Sequence, residues 1–599
     1  MALLRASGTT LLELVTEKTV AGRIAGQFAH EMGYRAGDGE VRSWENSLPV
    51  LAADLRDAGL LAVEVLVEHR LPLSSKRIDV VLAGSHPRTG APSYVVVELK
   101  QWSRATVLDD AGDLVHIDAY GARPVLHPVE QVRRYCTFLR DFTRALADLP
   151  DAIAGAAYLH NADETAVAGP RLMPESSGGR LFLRSDRGRW LDFLRARLAP
   201  TAGADSADLL VNSAIAPSQR LLALAAAEIR DREQFVLLDE QQVAASLVLR
   251  AVRRAVRADL KTAVVVNGGP GSGKSVIALS LLGDLARQGR TVLHATGSKA
   301  FTETLRRTAG HRDGRVKGMF KYFNSFMSAG KNDLDVLISD EAHRIRSTSN
   351  NRFTAATRRS DRRQVDELLD AARVPVFLLD DHQVVRPGET GRRDLIVAAA
   401  RESGLDVETV DLRGQFRSGG SRGYEEWVLR LLGLAPGGPV AWDGDERFAV
   451  EVVDGPAELE LRLADAERDG YTARMTGGFC WPWSDARAPP SFLWASEDGG
   501  FGQVGCVYTA QGFEYDWNGV IFGPDLVWRD GRFVSQVSES KDPAFRGQAA
   551  GQFDAAVRNV YKVLLTRGMA GTVITSTDAQ TREALRSLVS ARVSVDQPA

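Results

Sequence analysis

The stretch that most restricts this chain is VVVNGGPGSGKS at residues 264–275. Three successive valines favour a strand buried on both faces, as in a parallel sheet. That strand runs into Gly268-x4-Gly273-Lys274-Ser275 and then an apolar helical segment. A strand that turns through glycines straight into a helix suits a parallel α/β sheet, whose neighbouring strands need crossover connections. The glycines let successive backbone N–H groups turn towards one point at a helix N-terminus, where an anion is stabilised. Gly268, Gly269, Pro270, Gly271, Ser272 and Gly273 are therefore expected to wrap the phosphates of ATP, with Lys274 on the β and γ phosphates and Ser275 on Mg2+.

The same alternation continues on both sides of this loop. From residue 235, the apolar runs TAVVVNG, TVLHAT, DVLISDEAH and VPVFLLDD are separated by helical segments, as in a doubly wound sheet. A second such unit starts near residue 405, with strands at FAVEVV, VIFG and GTVITST. Ahead of both, residues 41–198 mix helices with the β-rich runs LAVEVLV, RIDVVLAG and SYVVVELK, a smaller α/β domain that PTAGADSADLL closes. A chain of 599 residues is too long for one core. The expected division is an N-terminal domain at 1–200, a helical linker at 201–234, a first lobe at 235–404 and a second at 405–599.

Composition narrows the classes. Hydrophobic residues at 44% and charged residues at 25% exclude wholesale disorder, and a formal net charge of −3 excludes a generally basic coat. Any nucleic acid would be held by local Arg and Lys clusters. Cys136, Cys480 and Cys506 are odd in number and far apart, which argues against a disulfide framework and points to a reducing compartment. The N-terminal MALLRASGTTLLELVTEK has no uninterrupted apolar core, and no later stretch approaches the roughly 18 apolar residues of a span. A cytoplasmic chain without a membrane partner is expected.

The strand DVLIS delivers Asp340-Glu341-Ala342-His343 at its C-terminal end. Asp340 would hold Mg2+, and Glu341 would orient or deprotonate the attacking water. Taken alone, such an acidic pair also caps helices. Other residues fill out the series: Leu237-Leu238-Asp239-Glu240-Gln241, then Asp380 and Gln383 in FLLDDHQ, then Leu412-Arg413-Gly414-Gln415-Phe416-Arg417-Ser418. Thr509-Ala510-Gln511-Gly512-Phe513-Glu514-Tyr515 and Val560-Tyr561-Lys562-Val563-Leu564-Leu565-Thr566-Arg567-Gly568 complete it.

In this order the stretches resemble the motor stations of superfamily 1 helicases. Together with GGFCWPWS at 477–484 they look like the Schlafen-type helicase-like family, over residues 235–590. The resemblance implies two RecA-like P-loop NTPase lobes. It makes Gln241 the reader of adenine and Gln383 the sensor of the γ-phosphate, with Leu379 where the station has glycine. It makes Arg417 and Arg567 arginine fingers, sets Glu514 on the ribose, and puts Thr509 or Gln511 on the strand. Arginines on a second lobe reach a γ-phosphate held by the first only when the lobes close, so hydrolysis would gate the cleft. Cys480-Trp481-Pro482-Trp483 can stack bases or fill a core.

In the N-terminal domain Asp79 lies in RIDVV, and Glu98 and Lys100 lie in VELK, all within β-rich runs. Two carboxylates can hold Mg2+ against a scissile phosphate, and a lysine two residues on, facing the same side of its strand, can position water. The set resembles the PD-(D/E)XK nuclease superfamily, which implies a restriction-endonuclease-like fold. Gln131 and Tyr135, four apart, match the Gln-x-x-x-Tyr feature of its RecB-like branch. Glu45 is the candidate for the superfamily's helical carboxylate, with Glu40 as the other option.

The expectation is thus an α/β protein with a restriction-endonuclease-like domain and two RecA-like lobes, hydrolysing ATP on nucleic acid, DNA before RNA, and cutting it with Mg2+. Degradation of foreign DNA in antiviral defence suits that pairing. An inactive DNA-holding relic and an unrelated α/β domain stand beside the active nuclease, and a nucleic-acid-sensing ATPase switch without unwinding stands beside the motor. Oligomeric state stays open, with a second copy or a defence-system partner both compatible.

Overall fold

Alternation along three strands sets up the N-terminal unit in the computed structural model. The model describes residues 2–589 other than 33–34, 73, 75, 118–123, 147–148, 150, 165–175, 177, 214–234, 311–312, 351–353, 355–358, 382, 415–420, 446–447, 482–493 and 496–499. The chain divides into two compact units, Met1–Arg220 together with Phe235–Arg250, and Ala251–Ala599.

In the first unit β1 (Leu4–Ser7), β2 (Glu64–Arg70), β3 (Arg77–Ser85) and β4 (Pro92–Lys100) pair antiparallel in sequence. A small sheet of β5 (Thr106–Leu108), β6 (Ala111–His116) and β7 (Val125–Leu126) follows, and then β8 (Ile153–Leu159) and β9 (Arg180–Leu183) add parallel to β4. The main sheet runs β1-β2-β3-β4-β8-β9. Val65, Val67, Val80, Leu82, Val95 and Val97 share one core with Leu48, Leu51 and Leu55 of the helix Asp38–Ala58 and with Trp190. Side chains one step out of phase, Glu98 among them, fall on the other face. There the helix Pro128–Phe142 packs so closely that a Cβ on Gly155 of β8 would lie 2.9 Å from Cys136 Sγ.

The second unit holds two parallel sheets. The first contains β10 (Thr262–Gly268), β11 (Val292–Thr296), β12 (Phe320–Tyr322), β13 (Leu334–Asp340), β14 (Ala372–Leu379) and β15 (Asp406–Leu412), in the order β12-β11-β13-β14-β10-β15. Val264, Val265 and Val266 are fully buried, each worth about 1.5–3 kcal/mol against exposure. The second sheet has β16 (Ala449–Val452), β17 (Ala473–Gly477), β18 (Val504–Gly505), β19 (Tyr515–Phe522) and, beyond the hairpin β20 (Leu526–Arg529) and β21 (Arg532–Ser535), β22 (Gly568–Ser576). Its order is β16-β22-β19-β17-β18.

Three connections differ from the division expected at 200, 234 and 404. The helix Ala204–Val211 returns to the N-terminal sheet: Ser206 Oγ donates to Gly84 O at 2.8 Å, and Tyr94 OH donates to Ser206 O at 2.8 Å. Gly203 makes that return tight, since a Cβ there would sit 2.1 Å from Ala83 O. Residues Phe235–Arg250 also fold into the first unit. The strand ending at Leu412 pairs along its whole length with β10, so the first parallel sheet continues past residue 404.

Candidate functional site

Two clusters gather the candidate residues, one in each unit. In the second unit β10 ends at Gly268, and the helix Lys274–Arg287 begins after Gly273, which caps it at φ +84°. That backbone angle suits glycine and few other residues. Lys274 is buried, and its Nζ donates to Gly268 O at 2.7 Å and Gly269 O at 2.8 Å, so the ammonium lies at the centre of the loop. A cavity of about 240 Å3 opens beside the loop, lined by Gly269, Pro270, Leu412, Arg413, Glu425 and Glu426.

β13 brings Asp340 to the same sheet edge, fully buried, with Oδ1 accepting from Glu341 N at 2.8 Å and Oδ2 3.4 Å from His294 Nε2. Glu341 takes a left-handed backbone at φ +55°, a strained conformation of the kind that collects at working sites. Burial works against its charge. His343 at 3.0 Å, Arg344 and Lys274 outweigh that and hold the Glu341 carboxyl well below the usual range. Glu341 is therefore an anion at any physiological pH, as an orienter of water requires.

The later stations meet this acid through amides. Gln383 Nε2 donates to Asp380 Oδ2 at 2.9 Å. Gln511 is fully buried: its Nε2 lies 2.9 Å from His343 Nε2 and 3.4 Å from Gln383 Oε1, and its Oε1 accepts from Arg344. Gln511 follows the short helix Val507–Ala510 ahead of β19 in the second sheet, whereas Gln383, His343 and Glu341 belong to the first. The segment after Gln383 also passes close to the loop of Glu341, since a Cβ on Gly391 would meet Ala342 O at 1.8 Å.

Other expected residues lie elsewhere. Arg567 is buried, with Nε donating to Val563 O at 2.8 Å and Nη1 to Phe513 O at 3.4 Å, so its fork is turned to its own lobe. Glu514 is exposed. Thr509 Oγ1 accepts from Trp494 Nε1 at 2.7 Å. Ser275, the expected Mg2+ ligand, stands half-buried in the first turn of its helix. Gln241 is buried on the helix Glu240–Ala258 and accepts from Leu238 N at 3.0 Å. Trp481 packs on the Met475–Ile521 core. Arg417, Pro482 and Trp483 lie outside the described residues. Lys562, which the sequence reading gave no part, lies 3.8 Å from Asp380 Oδ2 and is buried. A lysine inside the apolar run VYKVLL was its signal.

In the first unit, Asp79 and Glu98 stand one step beyond the Val80–Val97 pair of β3 and β4. Asp79 Oδ2 accepts from Leu99 N at 2.8 Å, and Lys100 Nζ is 2.6 Å from Glu98 Oε1. Gln131 Nε2 donates to Tyr135 OH at 3.0 Å, and Tyr135 is close enough to Glu98 to feel its charge. Burial and then the charge of Asp79 push Glu98 up to about 8, and burial raises Asp79 too. Crowded carboxylates in a dry site disfavour their own ionisation until a cation joins them. Glu98 Oε2 is buried without a hydrogen-bond partner, a lone pair set for a cation. The donor set fits Mg2+, which commonly takes one or two carboxylates and completes its shell with water and phosphate oxygens. Among the described residues, no group of three or more His, Cys, Asp and Glu side chains is spaced to hold a metal ion by itself.

The neighbouring carboxylate is Glu68, which the sequence reading passed over. It has φ +53°, accepts from Trp44 Nε1 at 2.8 Å and pairs with Arg77 at 3.0 Å. Burial and then Asp79 push it up to about 7. A small cavity is lined by Ser43, Trp44, Ser47, Glu68, Asp79 and Leu99. Glu45 is not among them. Trp44, Ser47, Leu48 and Leu51 carry the buried face of the helix Asp38–Ala58, which leaves residue 45 exposed. Glu40 accepts from Gly37 N at 3.1 Å and pairs with Arg77 at 3.2 Å. An acid inside the apolar strand EVLVEHR was the available signal for Glu68.

Among the described residues, no helix is long and apolar enough to cross a membrane. The uncharacterized protein YPL245W of Saccharomyces cerevisiae is 22% identical over 386 residues, covering 54% of this chain and 83% of that protein. Among solved structures, AMPPCP-bound DnaA from Aquifex aeolicus is 14% identical over 28% of this chain and 46% of its own, with a TM-score of 0.17. The replication initiator DnaA bound to AMPPCP and single-stranded DNA is 15% identical over 32% of this chain and 52% of its own, with a TM-score of 0.16. The chain spans about half the length of those structures. Scores of that size leave the fold to be described from the chain's own sheets. The family model for the Schlafen group 3 DNA/RNA helicase domain matches residues 261–578, from the strand before the phosphate loop to the end of β22. With more than half of its length matched, the chain belongs to the Schlafen group 3 family.

Proposed function

We propose that this chain is an ATP-driven nucleic-acid motor of the helicase type, and that its N-terminal unit is an Mg2+-dependent nuclease acting on DNA before RNA. The observation that carries the motor reading is the buried chain Glu341–His343–Gln511–Gln383. It ties the acid that would orient the attacking water to an amide from the second sheet. Lys274 and the loop amides would hold the β and γ phosphates, Ser275 and Asp340 would hold Mg2+, and Glu341 orients the attacking water. Movement of Gln511 with a bound strand then alters the environment of Glu341, so strand binding and hydrolysis are linked. Arg417 and Arg567 are the finger candidates, and Arg567 serves after its fork leaves the carbonyls of Val563 and Phe513.

At the N-terminal site Asp79 and Glu98 hold Mg2+, which supplies Lewis-acid stabilisation of the cleaved phosphate when bound. Lys100 positions the water, and Gln131 and Tyr135 face the strand. A motor joined to a nuclease suits degradation of invading DNA in antiviral defence; deletion that leaves phage survival unchanged counts against that role. The motor reading is tested by ATP hydrolysis with and without single-stranded DNA and by unwinding of a tailed duplex. Strand-stimulated hydrolysis with unwinding supports it. Stimulated hydrolysis without strand separation reduces it to a sensor, and ATP binding without phosphate release removes it.

A further inference from the structure

The segment just ahead of Gln241 resembles a motor station, yet its acids are engaged in the N-terminal unit. Asp239 has φ +43°, a left-handed angle uncommon for a residue with a side chain. Its carboxylate accepts from Tyr135 OH at 2.9 Å and pairs with Lys76 Nζ at 2.9 Å. Lys76 also pairs with Glu240 at 2.5 Å, and Leu237 O accepts from Arg134 Nη1 at 3.2 Å. The polar chain therefore runs Gln131 N–H to Tyr135 O–H to Asp239 carboxylate, with Lys76 closing it from just ahead of β3. Tyr135 is buried, and Asp239 and Lys76 are nearly so.

A carboxylate accepting a hydrogen bond from a phenol fixes the direction of that hydroxyl, leaving its lone pairs to face Gln131. Lys76 lies three residues before Asp79, so the same contact also sets the strand end that carries the acid. A strained backbone at such a junction persists only where surrounding contacts over-determine it. We propose that Asp239 is a positioning residue of the Asp79–Glu98–Lys100 site, holding Tyr135 and Lys76 in the geometry from which a bound strand is cut. The proposal rests on the nuclease reading above. It also means that the nuclease is completed by residues that follow position 234 in the chain, so the residues preceding it do not contain the whole site.

The test uses the full chain with Mg2+ and end-labelled single- and double-stranded DNA, comparing wild type, Asp239→Asn, Tyr135→Phe, the double variant and Lys100→Ala. Tyr135→Phe removes one oxygen and keeps the ring packed, so it reports even where a change at Asp239 disturbs folding. The expected result is a fall in cleavage kcat of about tenfold or more for each single variant, with KM for the strand within about twofold and the double variant no worse than the poorer single one. Independent, multiplying effects, or Asp239→Asn and Tyr135→Phe cutting within twofold of wild type while Lys100→Ala is dead, overturn the positioning role and leave the nuclease reading standing. Lys100→Ala cutting like wild type, or a wild type that cuts nothing, overturns both.

Discussion

The two clusters solve opposite electrostatic problems. Beside the phosphate loop, basic side chains surround one acid: His343, Arg344 and Lys274 overcome burial and hold the Glu341 carboxyl well below the usual range. In the N-terminal unit, burial dominates: it raises Glu68, Asp79 and Glu98, and the charge of Asp79 raises Glu68 and Glu98 further. The first arrangement is charged and ready with protein groups alone. On the proposed reading, the second would gain its charge when a divalent cation compensates it. A site that orients water needs a fixed anion, whereas a site that binds metal benefits from carboxylates with unsatisfied lone pairs.

The sharpest way to break this contrast is to remove one lysine from each site. Lys274→Ala is expected to lower ATP hydrolysis by about a thousandfold or more, because the γ-phosphate loses its charge partner in the transition state. Mg2+-dependent cleavage in the absence of ATP should stay near wild type, as measured on the same labelled strands. Lys100→Ala should reverse the pattern, lowering cleavage by about a hundredfold to a thousandfold while phosphate release is unchanged. A variant that kills both activities would mean that the clusters are not separate chemical centres.

Next in size is the amide link. Gln511→Ala should reduce strand-stimulated ATP hydrolysis about tenfold and leave the unstimulated rate within about threefold, since it removes the connection to His343 and keeps the loop. Glu98→Gln sharpens the electrostatic side. In wild type the folded-state carboxyl titrates at about 8 against 4.5 when free, so the buried charge costs stability above pH 8 and nothing near pH 4.5. Without metal, Glu98→Gln should therefore raise the melting temperature by about 2–6 °C above pH 8, with the gain shrinking as pH falls. The same variant should no longer cleave. An unchanged melting temperature at pH 8.5 in chelator would remove the crowding account. The smallest effect is expected at Glu45, where alanine should leave cleavage within about twofold, while Glu68→Gln changes it more.

Sequence made the phosphate loop legible because its chemistry is local: glycine angles, a lysine and a helix start are all set within twelve consecutive residues. Asp79, Glu98 and Lys100 were legible for a related reason, since period-two alternation alone puts the last two on one strand face. Glu68 escaped because a single left-handed residue breaks the alternation of β2, which no residue type announces. Asp239 escaped because its partners are more than a hundred residues away in Tyr135 and Lys76. The strand Asp406–Leu412 follows the expected lobe boundary, and only its pairing with β10 assigns it to the earlier sheet. Placement of Arg567 is also a tertiary outcome, fixed by carbonyls at the end of its own helix and beside Phe513.

The most direct measurement is cleavage of end-labelled single- and double-stranded DNA and RNA with Mg2+, with and without ATP, by wild type, Lys100→Ala and Lys274→Ala. An ATP-driven motor joined to a nuclease predicts cutting that Lys100→Ala abolishes, and a longer reach into duplex DNA with ATP that Lys274→Ala removes. Cutting that is indifferent to Lys100, or no cutting of any substrate beside normal ATP hydrolysis, would contradict it.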